Sequence, residues 1–490
     1  MLSLSILERA RIERIIDEAS EILAATGVGL SEPEVVEILA AEGAEVVREA
    51  GGTRVRIPSD LVKRAVSTAP AGITLYDRDG AAAMTLAGDE VHFVPGSAAL
   101  HLHDADRGAM APADTDDTIR FVKVVDGLEH LAAQSTAVIP SDVPFERADA
   151  YRLAMALIYS KKPVVTGTFS HAGLDFMERM LTTVRGGGEA LRGKPLAIFD
   201  CCPVAPLRWR EECLKDIVRC ARAGIPVEFV SMPQPGLSAP MSLHAALVQH
   251  TAETLSGVVI AQLASRGAPV IYGGSPTSVD LRTCAPLLGA AETFLMAAYA
   301  QVGKHLGLPT HVYLGLSDAK MLDMQSGFEM GAGAIFGALL GVNVIAGPGM
   351  LANESAQSIE GVVIANDLCG TALRVKRGIG AQADGKTVDD IGAMIAAGGQ
   401  PDPVETMKVV REGAEYFDPG PVIDRETLGG WTRKGEKNIV DRARDRIEWI
   451  MAGSEASEID VGRRSGILEV VREFAPGAPL ISRWSGAASA

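Results

Sequence analysis

Between about residues 96 and 376 the chain repeats one pattern. A short apolar run ending in Gly, Pro, Ser or Asp is followed by a longer segment with apolar residues at helical spacing. Such alternation predicts parallel strands covered by helices, because strands buried on both faces read as near-continuous apolar runs. The runs are "AALHLHD", "LAAQSTAVIPSD", "PVVTGTFS", "LAIFDCCP", "PVEFVSMPQP", "PVIYGGSP", "HVYLGLSD" and "NVIAGPG", separated by helical segments such as "DDTIRFVKVVDGL", "ADAYRLAMALIYSK" and "EECLKDIVRCARAG". About eight repeats in a span near the ~250 residues of a (β/α)8 TIM barrel predict that α/β fold. A doubly wound sheet would reverse direction after fewer strands.

The flanks read differently. Residues 1–95 suggest an N-terminal α+β cap, in which "GGTRVRIPSDLVKRAVSTAP" gives a turn, a strand and a Ser-capped helix stopping at Pro70. Residues 377–490 read as a C-terminal helical extension, with helices around "KVVREGAEYF" and "NIVDRARDRIEWIM" and a loose tail "SGAASA".

With 490 residues and 47% hydrophobic content the chain can bury a large core. Its formal net charge of -16 argues against a protein that coats nucleic acid or an anionic membrane. The first residues carry Arg and Glu among their apolar positions and lack a signal-peptide core, and no apolar run reaches membrane-spanning length uninterrupted, so a cytoplasmic location is expected. The six Cys include no CxxC pair and are expected to be buried free thiols. A homo-oligomer is compatible with the sequence.

In a barrel, active sites form on the loops at the C-terminal ends of the strands. By that test the candidates are His101, His103 and Asp104 after the first run, Ser141 and Asp142 after the second, and Asp200, Cys201 and Cys202 after the fourth. Gln234 follows the fifth, Tyr272 and Ser275 the sixth, Tyr313 and Asp318 the seventh, and Asn353 and Glu354 the eighth. His101, His103 and Asp104 could share a metal, but the spacing is unspecific and no metal is expected. "IAGPGMLA" offers Gly347, Gly349 and Ala352 as GxGxxA, yet its context is not a βαβ unit, so a turn is the simpler reading. Lys320 in "SDAK" suggests a Schiff base, although a Lys there more often pairs locally, and Cys201 has no adjacent base.

The ordered motifs "DCCPVAPLRW", "GAPVIYGGSPTSVDLRTCAPLLGAAE", "GLSDAKMLDMQSGFEM" and "GVNVIAGPGML" resemble the trimethylamine methyltransferase family, specifically its branch without pyrrolysine, which includes glycine betaine methyltransferases. The resemblance spans residues 10 to 450 and implies a TIM barrel that passes a methyl group from a methylated amine to the Co(I) of a separate corrinoid protein. Trimethylamine enzymes of the family use pyrrolysine, and every letter here is a standard residue, which disfavours trimethylamine as substrate. "GGQPDPVETMKVVREGAEYF" replaces a His-containing family signature, and no His follows His311.

A quaternary ammonium needs no protein acid to leave as a neutral amine, so the resemblance implies a site that binds, orients and desolvates. Aromatic faces and carboxylates hold such a cation. The implied substrate-binding set is His103, Asp104, Phe199, Tyr272, Ser275, Arg282, Tyr313, Asp318 and Gln325, with Phe169 as a further cage wall and Arg282 or the Gly347–Gly349 turn for a betaine carboxylate. Asp323 and Gln325 also serve to fix the seventh loop. The residues facing the corrinoid (cobalamin) would be Gly347, Gly349, Met350, Asn353 and Glu354. The Asp-x-His-x-x-Gly corrinoid signature is absent, so the cofactor is expected on a partner protein. Two other readings fit the same residues: a barrel lyase or aldolase using Lys320 or a metal, and a non-catalytic paralogue that senses a betaine or corrinoid partner.

Overall fold

The structure is a computed structural model that describes residues 2–49, 52–105, 108–379, 387–412, 417–418, 420–453 and 459–487. Residues 413–416 of "KVVREGAEYF" and the last three residues of the terminal tail lie outside these residues.

Eight parallel strands close on themselves: His92–Val94, Gln134–Ser135, Val164–Gly167, Ala197–Cys201, Val227–Ser231, Val270–Gly274, His311–Tyr313 and Val344–Ala346. Five pair in sequence order, three more pair as seventh–eighth–first, and single parallel bridges Phe93–Leu131 and Tyr272–Thr310 join the two groups. This is the expected barrel, with one correction to its strand list. The first strand is His92–Val94, inside the stretch read as cap, whereas "AALHLHD" forms His101–Asp104 in a separate four-stranded sheet with Ala109–Pro112, Met350–Leu351 and Ala356–Gln357. The polar–apolar alternation of His-Leu-His-Asp suits a half-exposed strand, not one buried on both faces.

Strand periodicity sorts the side chains into two shells. Val94, Val165, Ile198, Val230, Ile271, Val344 and Ala346 fill the interior, where Ile73, Leu75, Met84 and Leu86 join them. Those four come from the hairpin Ile73–Tyr76/Ala82–Leu86, which closes one end of the barrel. The alternate residues Phe93, Phe199, Phe229, Tyr272, Val312 and Ile345 face the helices.

The N-terminal helices Arg9–Ala25 and Ser59–Thr68 pack on Leu243–Ala264, the long apolar helix that follows the fifth strand. No helix among the described residues is long and apolar enough to cross a membrane. At the C-terminal end, helix Ile439–Gly453 packs against Ile359–Arg377 and Thr115–Asp126, and helix Val461–Phe474 against Phe145–Tyr159 and His171–Arg185. Helices Thr387–Ala396 and Pro403–Glu412 bury little.

Candidate active site at the barrel mouth

Below the mouth the interior becomes polar. Glu228, on the fifth strand, is in register with Asp200 on the fourth, and both follow the inward parity of Ile198 and Val230. His311 and Tyr313 bring the seventh strand to the same level, the ring of His311 standing edge-on to Tyr313 at 5.0 Å between centroids. Nδ1 of His311 lies 2.5 Å from Oε1 of Glu228, with both side chains fully buried. Neither atom gains a well-formed hydrogen bond, and Oδ1 of Asp200 is also buried without a partner among the described residues. Gly273 on the sixth strand makes room, because a Cβ there would meet Cγ of Glu228 at 2.8 Å.

Buried carboxyls without donors are driven toward the neutral form. Burial raises Asp200 well above the ordinary range, helped by the neighbouring Glu228, and burial alone raises Glu228. It lowers His311 to about 4 despite the opposing pull of Asp200. The Tyr313 phenol is raised by burial and then by Asp200; it donates to the carbonyl of Ser97 at 3.3 Å.

A third carboxyl arrives from the loop after the eighth strand. Ala352, Asn353 and Glu354 have φ of 53°, 56° and 66°, a left-handed run costing about 1–3 kcal/mol per residue. Ala352 N–H donates to the Ala319 carbonyl, and Asn353 Nδ2 donates to Pro286 O and Asp318 Oδ1, which hold the loop in place. Glu354 thereby accepts a 3.4 Å hydrogen bond from Ser275 Oγ, and burial raises it to about 7.

One cation reaches the same region. Every residue of helix Phe145–Tyr159 from Ala148 onward is buried, Arg152 included. Its guanidinium lies over the Phe169 ring at 4.5 Å, and Nη1 donates to the Thr136 carbonyl beyond the second strand. Burial lowers it to about 10, against the opposing pull of Asp149, Tyr313 and Asp200.

Of the residues expected from sequence, Tyr313, Ser275 and Glu354 meet here, with Asp200. Phe199 and Tyr272 do not. Each sits one residue out of phase with the interior, and Tyr272 OH donates to Thr251 in the helical layer. Phe169 is engaged by Arg152 and stacks on Phe145 at 4.6 Å. Arg282 is an exposed hairpin residue bound to Asp280 at 2.6 Å. His103 and Asp104 face a separate groove beside Glu360 and Arg444, because their strand belongs to the outer sheet.

Asp318 spends its carboxylate on the amides of Leu288 and Gly289, so it fixes a loop. It lines a cleft of about 390 Å³ with Lys320, Gln325, Glu329 and Asn353. There Gln325 donates to Glu329, and Lys320 Nζ donates to Asp318 O and Asn353 Oδ1, the local pairing that leaves no free amine. Asp323 caps the helix Met324–Leu339 by accepting from Ser326 N–H.

Gly347, Gly349 and Met350, expected to face the corrinoid, follow directly after the eighth barrel strand. All three are buried, and Met350 belongs to the barrel interior. Gly349 has φ 89°, and a Cβ there would strike Gln357 Oε1 and Val362, so these glycines serve turn and packing. Asn353 is a loop tie, leaving Glu354 as the member of that set in the mouth. Among the described residues no group of three or more His, Cys, Asp or Glu is placed to hold a metal ion. All six Cys are free thiols, but Cys202 and Cys284 are exposed and Cys213 is half-buried, which corrects the expectation that all would be buried.

Glu228, His311 and Arg152 escaped the sequence reading. The available signal was a charged residue within an apolar barrel strand, "PVEFV" and "HVY", and an Arg inside the apolar helix "YRLAMALIY".

The family model described as trimethylamine methyltransferase matches residues 1–474. The chain belongs to the trimethylamine methyltransferase family. It is similar to the trimethylamine methyltransferase MttB2 of Methanosarcina mazei, 30% identical over 467 residues that cover 94% of this chain and 93% of that one. It is also similar to the glycine betaine methyltransferase of Desulfitobacterium hafniense, 26% identical over 461 residues, covering 93% and 94%. The solved monomethylamine methyltransferase of Methanosarcina barkeri shares the fold, with a TM-score of 0.53 at 12% identity, covering 91% of this chain and 89% of that one. As a member of the family, this chain is a methyltransferase, an enzyme.

Proposed function

We propose that the chain moves a methyl group from a quaternary ammonium compound, glycine betaine or a related betaine, to the Co(I) of a corrinoid carried by a separate protein. The observation that carries this reading is the inward cluster of Asp200, Glu228 and Glu354 around Tyr313. A permanently charged trimethylammonium cannot donate a hydrogen bond, so it needs negative charge and an aromatic face, which this cluster offers. The glycine betaine methyltransferase of Desulfitobacterium hafniense, similar over nearly the whole chain, supports the same substrate class.

The cation bound here would favour ionised Asp200 and Glu354, offsetting the burial that keeps them protonated. The corrinoid supplies a strongly nucleophilic metal as methyl acceptor. One N–CH₃ bond breaks, its electron pair stays on nitrogen, and a neutral tertiary amine leaves without needing a proton. The protein's work is orientation and exclusion of water.

Mass analysis of the amine product tests the reaction. Incubation with glycine betaine and reduced corrinoid should yield dimethylglycine in step with enzyme turnover; a fully intact betaine pool under those conditions contradicts the proposal.

A further inference from the structure

Arg152 is 2% exposed and, among the described residues, has no carboxylate within ion-pairing distance. Its Nη1 is committed to Thr136 O, while Nε is buried with no hydrogen-bond partner. The one acid on its own helix turn, Asp149, spends its oxygens on the backbone N–H groups of Ala150, Phe169 and Ser170. A buried guanidinium with one carbonyl and one ring face is under-compensated, because removing a cation from water costs several kcal/mol unless a counter-charge replaces the water.

Its position says where that counter-charge would sit. Thr136 and Phe169 lie beyond the second and third strands, and Thr136 Oγ1 is 3.1 Å from Thr166 Oγ1 on the third. The third strand pairs Gly167 with Asp200, so the Arg152 head lies beside the acidic cluster on the same end of the barrel. The mouth therefore holds a cation side and an anion side, both short of partners.

We infer that Arg152 is the carboxylate anchor of the substrate, binding it through the guanidinium edge that carries Nε, and so selects zwitterionic betaines over quaternary amines without a carboxylate. A planar carboxylate matches that edge in a bidentate pair, the strongest ordinary use of arginine. The assignment rests on the proposed quaternary-amine reading. It replaces Arg282 in that role.

Calorimetric binding of glycine betaine and choline tests it, since the two share the trimethylammonium group and differ in the carboxylate. Wild type should bind glycine betaine at least about 10-fold more tightly than choline. Arg152→Gln should weaken glycine betaine by about 10- to 100-fold and shift choline by less than about threefold, with Arg152→Lys in between. Equal wild-type affinities for the two ligands overturn the inference, as does an equal loss of both in a variant with unchanged thermal unfolding. If Arg152→Gln does not fold, the wild-type comparison and Arg152→Lys decide. The readout needs no corrinoid. Arg152-dependent betaine binding without methyl transfer supports this inference and sinks the proposed reaction, whereas methyl transfer from choline, indifferent to Arg152→Lys, does the reverse.

Discussion

Single residues decide the chemistry, and Glu354 shows how. Its folded pKa of about 7 is raised mainly by burial, above the ordinary carboxylate value. A raised acid binds its proton more tightly when folded, so the stability it contributes is complete below about pH 4.5 and lost as pH rises through about 7. Glu354→Gln should therefore leave stability near pH 5 unchanged and raise it by about 1–3 kcal/mol at pH 8–9, read from denaturant unfolding at both pH values. For ligand binding the sign is opposite. An ionised carboxyl is what a cation prefers, so betaine affinity should rise toward pH 8 and fall as pH drops below about 7, more weakly in the variant. Asp200→Asn removes charge from the centre of the cluster and should weaken glycine betaine by about 10-fold or more while conserving the fold; an unaltered dissociation constant would remove Asp200 from the site.

At the scale of elements, alternation made the barrel legible and parity made half the site illegible. Continuous apolar runs such as "PVVTG" marked both-face-buried strands, and seven of the eight were placed correctly. Strand ends were therefore right, but a strand end does not say which alternate residue points inward. Tyr272 and Tyr313 look alike in sequence; one faces helices and the other the mouth. Arg152 lay on a helix, where strand-end logic does not look. Local chemistry was readable in the seventh loop, where Asp323 caps and Lys320 pairs with its neighbours. The turn after the eighth strand carries its own test. Gly349→Ala puts a Cβ 2.7 Å from Gln357 Oε1 at φ 89°, and should lower stability by at least about 1–3 kcal/mol, measured by chemical denaturation. A neutral outcome would mean that the loop carrying Glu354 adjusts freely.

Over the whole molecule the C-terminal helices act as braces for the site. Ile467, Val471 and Phe474 are buried on helix Val461–Phe474, which packs on the helix carrying Arg152, and Leu480 N–H donates to Tyr151 OH one residue away from that Arg. A chain ending at Gly453 should unfold at least about 5 °C below the full chain and lose betaine binding with it. The most direct test of the account mixes purified full-length protein with cob(I)alamin, alone and on a cognate corrinoid protein, and follows methylcobalamin absorbance across glycine betaine, choline and trimethylamine. The account predicts cobalt methylation from glycine betaine, slowed about 10-fold or more by Asp200→Asn, and little from trimethylamine. Methylation from trimethylamine at the rate of glycine betaine, or from no quaternary amine at all, would contradict it.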